Sequence, residues 1–185
     1  MENAKPVSTL LANHFRLPTS QCPETVEETE DTSKVPYASA VRCLMYAMVC
    51  TMLDLAHAVS VVSKYMANPG KQHWDAVKWI FRYLKGIIDY GITFVRQKSD
   101  LSVVEYMDAD YVGDLDDRRS TTGYVFTLTG GPICWKSMIY STVAMSTTEA
   151  EYMVVAKAAK EALWLTWLVK ELGIQQGGVS LHCDS

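Results

Sequence analysis

The sequence predicts an α/β protein, in which a mixed sheet carrying one long helix is preceded by a helical segment. Three observations carry this. Apolar residues recur at helical spacing from Val35 onward, the period shortens to that of strands after Gly91, and residues 147–173 restore an unbroken helical pattern. With 185 residues, 49% of them hydrophobic, the chain can supply a real core.

Taken in order, residues 1–34 hold Pro6, Pro18 and Pro23 and the acidic tract "PETVEETED" without a sustained apolar period, and read as a mobile lead-in that adds nothing to a core. Residues 35–98 form a helical segment. "PYASAVRCLMYAMVC" and "DLAHAVSVVSKYMANPG" predict two packed helices, the second stopped at Asn68-Pro69-Gly70. "KQHWDAVKWIFRYLKG" is amphipathic: Trp74, Val77, Phe81 and Leu84 share one face and Lys71, Lys78, Arg82 and Lys85 another, with Gly86 as the stop. Residues 99–185 are the sheet-bearing part. "ITFVRQ", "LSVVEYMDAD" and "GYVFTLTGGPICWKS" read as strands, with Gly130-Gly131 as a hairpin signal, and "STVAMS" extends the sheet. "TTEAEYMVVAKAAKEALWLTWLVKELG" is one long helix closed by Gly173, and "GGVSLHCDS" is a short last strand.

Composition narrows the function. A formal net charge of −4 argues against autonomous nucleic-acid binding, which draws its affinity from Lys and Arg, although a local basic stripe can outweigh the total. The five cysteines contain no CxxC pair and no metal-ligand spacing, so free thiols are expected. No run approaches the roughly 18 apolar residues of a membrane helix, and the start lacks a signal-peptide core. The expectation is an intracellular protein, of cytoplasm or nucleus, with no membrane partner.

Three carboxylates stand where apolar pattern gives way to loop. Asp108 ends one strand after Val104 and Tyr106, and Asp184 ends another after Val179, Leu181 and Cys183. Ser146 and Glu149 have the spacing of a capping box, which gives Glu149 a structural role. Glu151 has none: it lies in line with Val155, Ala158, Ala162 and Leu165, the face that should pack on the sheet. The plain alternatives are turn-forming aspartates and a glutamate favoured by the helix dipole. Oxygen-only ligands of this kind suit Mg²⁺ or Mn²⁺. An EF-hand starting at Asp108 fails at Val112 and Arg119, while a DxD site at Asp108 and Asp110 stays open.

The stretches "VPYASAV", "LMYAMVCT", "DLAHAVSVVSKYMANPGKQHWDAVKWIFRYLKG", "DADYVGDLDDRRSTTGYVFTLTGGPICWKS" and "VAMSTTEAEYMVVA" resemble the C-terminal part of the Pol polyprotein of plant Ty1/copia retrotransposons. The resemblance implies that residues 35–98 are the end of a reverse transcriptase, its thumb or connection segment, and that residues from 99 onward are a partial ribonuclease H-like domain. It implies metal-dependent hydrolysis of the RNA strand of an RNA–DNA hybrid, with weakly bound Mg²⁺ or Mn²⁺ held by Asp108 of "DAD", Glu151 of "TTEAEY" and Asp184 of "CDS". Lys78, Arg82, Lys85, Arg118 and Arg119 become candidates for phosphate contact, against the plain reading of solvated surface.

Departures accompany the match. The family continues past "CDS" to a fourth aspartate and a mobile histidine, and the polymerase aspartates are missing here. Met52-Leu53 stands where Arg-Pro is usual, Arg42 where Gly is common, and Met138-Ile139-Tyr140 where the run is basic or polar. The expectation is a fragment, inactive alone and completed by the remainder of a Pol polyprotein. The rival expectation is a non-enzymatic interaction module or an effector-like host protein derived from a copia element. Similar copia-derived reading frames have been labelled secreted RxLR effectors, but neither a signal peptide nor that motif stands here.

Overall fold

The computed structural model describes residues 3–12, 15, 17–94, 102–110, 119–174 and 178–183. They form two compact units, Met1–Gly91 and Ile92–Ser185, so the chain divides seven residues before the expected boundary at 98/99.

The first unit is helical, with α1 (Val26–Ser33), α2 (Tyr37–Cys50), α3 (Ala56–Ser63) and α4 (Lys71–Gly86). Pro36 occupies the N-cap of α2, where a missing N–H costs nothing. Val41 and Leu44 of α2, Val59 and Val62 of α3, and Ala76, Val77 and Ile80 of α4 are fully buried in one cluster. Two tyrosines tie the helices: Tyr37 donates to the Val62 carbonyl and Tyr83 to Asp54 Oδ2, both at 2.7 Å.

The lead-in departs from expectation. Leu17 is buried in the cluster, and Leu10, Leu11, Phe15 and Cys22 pack against it. The Tyr65 hydroxyl donates to the Leu17 carbonyl. The acidic tract forms α1 because Thr25 and Glu28 make a capping box: the Glu28 N–H donates to Thr25 Oγ1 at 3.2 Å, and the Glu28 carboxylate accepts from the Thr25 N–H at 3.4 Å. At the other contact, the Gly70 N–H donates to His73 Nδ1 at 2.8 Å, and the buried His73 ring stacks on Tyr65 with centroids 3.8 Å apart.

The second unit holds a four-stranded mixed sheet of β1 (Val103–Asp110), β2 (Thr121–Leu128), β3 (Gly131–Ile139) and β4 (Val179–Cys183), in the order β3-β2-β1-β4. β1 pairs antiparallel with β2 and parallel with β4. The β2–β3 turn places Thr129 at φ 52° and Gly130 at φ 80°, the positive values a two-residue hairpin loop requires. Of the expected strand "ITFVRQ", Ile92–Phe94 is irregular and the rest lies outside the described residues, while residues 141–146 bend toward the next helix instead of extending the sheet.

That helix, α5 (Thr147–Glu171), spans the expected run. It ends in a Schellman motif: the Ile174 N–H donates to Val169, the Gly173 N–H donates to Lys170, and Gly173 takes φ 75°. Its buried stripe, Ala150, Val154, Ala158, Ala162, Leu165 and Val169, packs on Val103, Met107, Tyr124 and Phe126 of the sheet.

One residue of this interface is a carboxylic acid. Glu105 lies between Val103 and Met107 on the inward side of β1, is 0% exposed, and has no hydrogen-bond partner for either carboxylate oxygen. Burial, reinforced by Glu161 of α5, pushes it up to about 7. Cys134 of β3 donates its thiol to Glu161 Oε1 at 3.7 Å, and burial raises both that thiol and the Tyr124 hydroxyl.

Two outcomes follow for stability. A methyl group at Gly70 would stand 1.9 Å from the Gln21 carbonyl oxygen, so Gly70→Ala should cost about 1–3 kcal/mol in urea unfolding, as overpacking does. Gly91→Ala, with nothing within 4 Å, is the neutral control, and equal midpoints for the two would contradict this packing. For Glu105 the sign is that of an acid raised on folding: the folded protein keeps its proton while the unfolded chain, near 4.5, loses it. Stability of the second unit should therefore fall between pH 4.5 and about 7, by at most about 1.4 kcal/mol per pH unit, and level off above. Glu105→Gln should flatten that decline, whereas parallel pH profiles for the two proteins would refute it.

Candidate functional site

β1 is the central described strand that sets the site. Its inward residues are Val103, Glu105 and Met107, so alternation turns Val104, Tyr106 and Asp108 to the opposite face. Asp108 is exposed there and pairs in register with Gly123 of β2. This corrects the reading of Val104 and Tyr106 as a core pattern leading into Asp108. Tyr106 is 55% exposed and stacks on His182 of β4, with centroids 5.5 Å apart. Asp110 closes the strand opposite Thr121.

α5 approaches from the inward face of the sheet. Ser146 caps it by accepting the Glu149 N–H at 3.1 Å. The Glu149 carboxylate reaches one residue further back than a capping box requires and accepts the Met145 N–H at 2.6 Å. Glu151 is half-buried, one position round from Ala150, where the buried stripe begins; Val155 is likewise only partly buried. The expected line thus starts at the edge of the packing face with Glu151 and Val155 and joins its centre at Ala158, Ala162 and Leu165.

Asp184 and Arg118 lie outside the described residues. The parallel pairing of β1 with β4 ends on Met107 and Cys183, the residues that precede Asp108 and Asp184 in sequence. Arg119 is half-buried just ahead of β2. Among the described residues no group of three or more His, Cys, Asp and Glu side chains is placed to hold a metal ion.

The basic stripe of α4 belongs to the first unit, and its members are engaged by the chain itself. Lys78 pairs with Asp75 at 2.6 Å, Arg82 Nε donates to the Lys5 carbonyl at 2.7 Å, and Lys85 Nζ donates to the Ala4 carbonyl at 3.0 Å. The Arg82 guanidinium also lies 4.9 Å from the Trp79 ring centre. The row stays partly solvated all the same: Lys71 and Lys85 are exposed and Lys78 and Arg82 half-buried.

The buried titratable group that periodicity passed over is Glu105 with Glu161, Cys134 and Tyr124. Its signal was available in "VVEYM": with period two, either the odd or the even positions face the core, and Val103 and Met107 flank Glu105 on the odd set.

No family model matches the chain, and no solved structure matches it. The chain is 53% identical over all its 185 residues to the retrovirus-related Pol polyprotein from transposon TNT 1-94 of Nicotiana tabacum, of which it spans 14%. It is 39% identical over its full length to the retrovirus-related Pol polyprotein from transposon RE2 of Arabidopsis thaliana, spanning 12% of that protein. It is also 48% identical over 132 residues, 71% of this chain, to the secreted RxLR effector protein 161 of Plasmopara viticola, and covers 92% of it. Among the described residues no helix is long and apolar enough to cross a membrane. By its full-length similarity to these polyproteins, the chain belongs to the family of retrovirus-related Pol polyproteins of plant copia-type transposons and corresponds to one segment of them.

Proposed function

We propose that the second unit is a ribonuclease H-like domain, or part of one, whose role is metal-dependent hydrolysis of the RNA strand of RNA–DNA hybrids during reverse transcription. The single observation that supports it best is the register of β1 with β4, which ends immediately before Asp108 and Asp184. Neighbouring strands are about 4.8 Å apart, so one further step of that register would set the two carboxylates side by side. Glu151, half-buried at the start of α5, is the third candidate by residue type alone, since α5 packs on the face of β1 opposite to Asp108.

The donor set fits a hard cation, since all three side chains offer oxygen alone and Asp108 is exposed to receive it. Bound Mg²⁺ or Mn²⁺ would polarise a phosphodiester oxygen and generate a nucleophile from water near neutral pH. The residues' own work is positional. Asp108 is fixed by the paired backbone of β1, and Glu151 by the cap that Ser146 and Glu149 build at the start of α5. Arg118 and Arg119, between Asp108 and β2, would orient the phosphate backbone. Lys78, Arg82 and Lys85 of α4 are candidates for phosphate contact within the first unit.

A second reading rests on the 48% match that covers 92% of a protein named as a secreted effector. On that reading the chain is a non-enzymatic module. RNA–DNA hybrid cleavage above the Asp108→Asn background would exclude it.

The expected outcome for the metal set is thermodynamic. Mg²⁺ at ten times its Kd should add about 1.4 kcal/mol to the stability of the second unit, a rise of several degrees in melting temperature. Asp108→Asn and Glu151→Gln should each reduce that rise. An Mg²⁺-induced shift that survives both substitutions unchanged would place the ion elsewhere and sink the proposal.

A further inference from the structure

The first residues of the chain lie along α4, and the contacts are of one kind. Trp79 Nε1 donates to the Thr9 carbonyl at 2.8 Å, Arg82 Nε to Lys5 at 2.7 Å and Lys85 Nζ to Ala4 at 3.0 Å. The donors recur every third residue, so they share one face of the helix. Each acceptor is a backbone carbonyl, so the contact is blind to the side chains of the segment. The Val7 N–H closes the register by donating to the Arg82 carbonyl at 3.4 Å.

Two further features show a built fit. Gly86 lies against the segment so closely that a methyl group there would stand 3.2 Å from the Val7 oxygen and 3.4 Å from the Pro6 Cβ. Phe15 meets the Trp79 ring edge-on at 5.7 Å, and a cavity of about 510 Å³ lined by Ala4, Met52, Phe81, Leu84 and Ile88 adjoins the segment.

We infer that residues 4–9 form a displaceable strap which occupies the basic face of α4 and competes with a nucleic-acid backbone for it. Carbonyl oxygens and phosphate oxygens are acceptors for the same donors, so a phosphate backbone that takes the places of the Lys5 and Ala4 carbonyls must displace the strap, even though Arg82 and Lys85 keep further N–H groups. A polyanion gains from counterion release, which the neutral carbonyls lack, and its advantage grows as salt falls. The inference rests on the reading of α4 as a phosphate-facing helix.

The strap can be loosened without touching a donor. Gly86→Leu puts a side chain where Val7 and Pro6 pass and installs a better helix former at the end of α4. Release is read by hydrogen exchange at the Val7 amide. Affinity is read by anisotropy of a labelled RNA–DNA hybrid duplex at low salt. Gly86→Leu should expose the amide and tighten hybrid binding about tenfold, and Arg82→Gln with Lys85→Gln in that background should remove the gain. If the amide stays protected, a chain beginning at Ala12 supplies the released state and should show the same gain. Released protein that binds the hybrid no better than wild type, with binding still dependent on Arg82 and Lys85, overturns the competition alone. Absence of hybrid binding in every form overturns both it and the nucleic-acid reading of α4.

Discussion

The alternation of β1 is the constraint on which the second unit turns. Paired on both edges, the strand cannot rotate or slip without losing its ladders with β2 and β4 together. One face must therefore meet α5 and the other must not. Val103 and Met107 make the inward choice favourable, and that choice carries Glu105 into the core and Asp108 out to the surface. A buried acid and an exposed acid three residues apart are two results of the same register.

The two carboxylates consequently have opposite chemistry. Glu105 is sealed among apolar side chains with Glu161 beyond it, a setting that favours the neutral acid and leaves it unable to serve as a cation ligand at low pH. Asp108 faces solvent on the side that carries the Tyr106–His182 stack. Of the two, only Asp108 is open to solvent. Burying Glu105 costs stability, and the cost is borne by the packing of Phe126, Val154 and Leu165 around it.

Much of this was legible in the sequence. The three helices from Tyr37 to Gly86, the Gly130 hairpin and the single helix ended by Gly173 follow from period and punctuation, because each is a local signal. The lead-in was misread, since its contacts are long-range: Leu17 with Tyr65, Thr9 with Trp79 and Lys5 with Arg82 leave no periodic trace. The capping box at Thr25 and Glu28 was visible but hidden by the acidic composition around it. For the site, residue types were readable and the face of β1 was not. "VVEYMD" is compatible with either phase, and only the apolar surface of α5 decides between them. The basic stripe is legible as a stripe, but the partners of Arg82 and Lys85 lie 77 and 81 residues earlier in the chain.

The central proposal is that Asp108 and Asp184 hold one cation, with Glu151 as the third candidate. Paramagnetic broadening by Mn²⁺, followed on the backbone amides of isotope-labelled protein, tests it without requiring turnover. At substoichiometric Mn²⁺ the amides of Asp108, Glu151 and Asp184 should broaden first and together, and the effect should vanish in Asp108→Asn. Broadening centred instead on the acidic helix α1, or spread evenly over the surface acids, would contradict the account.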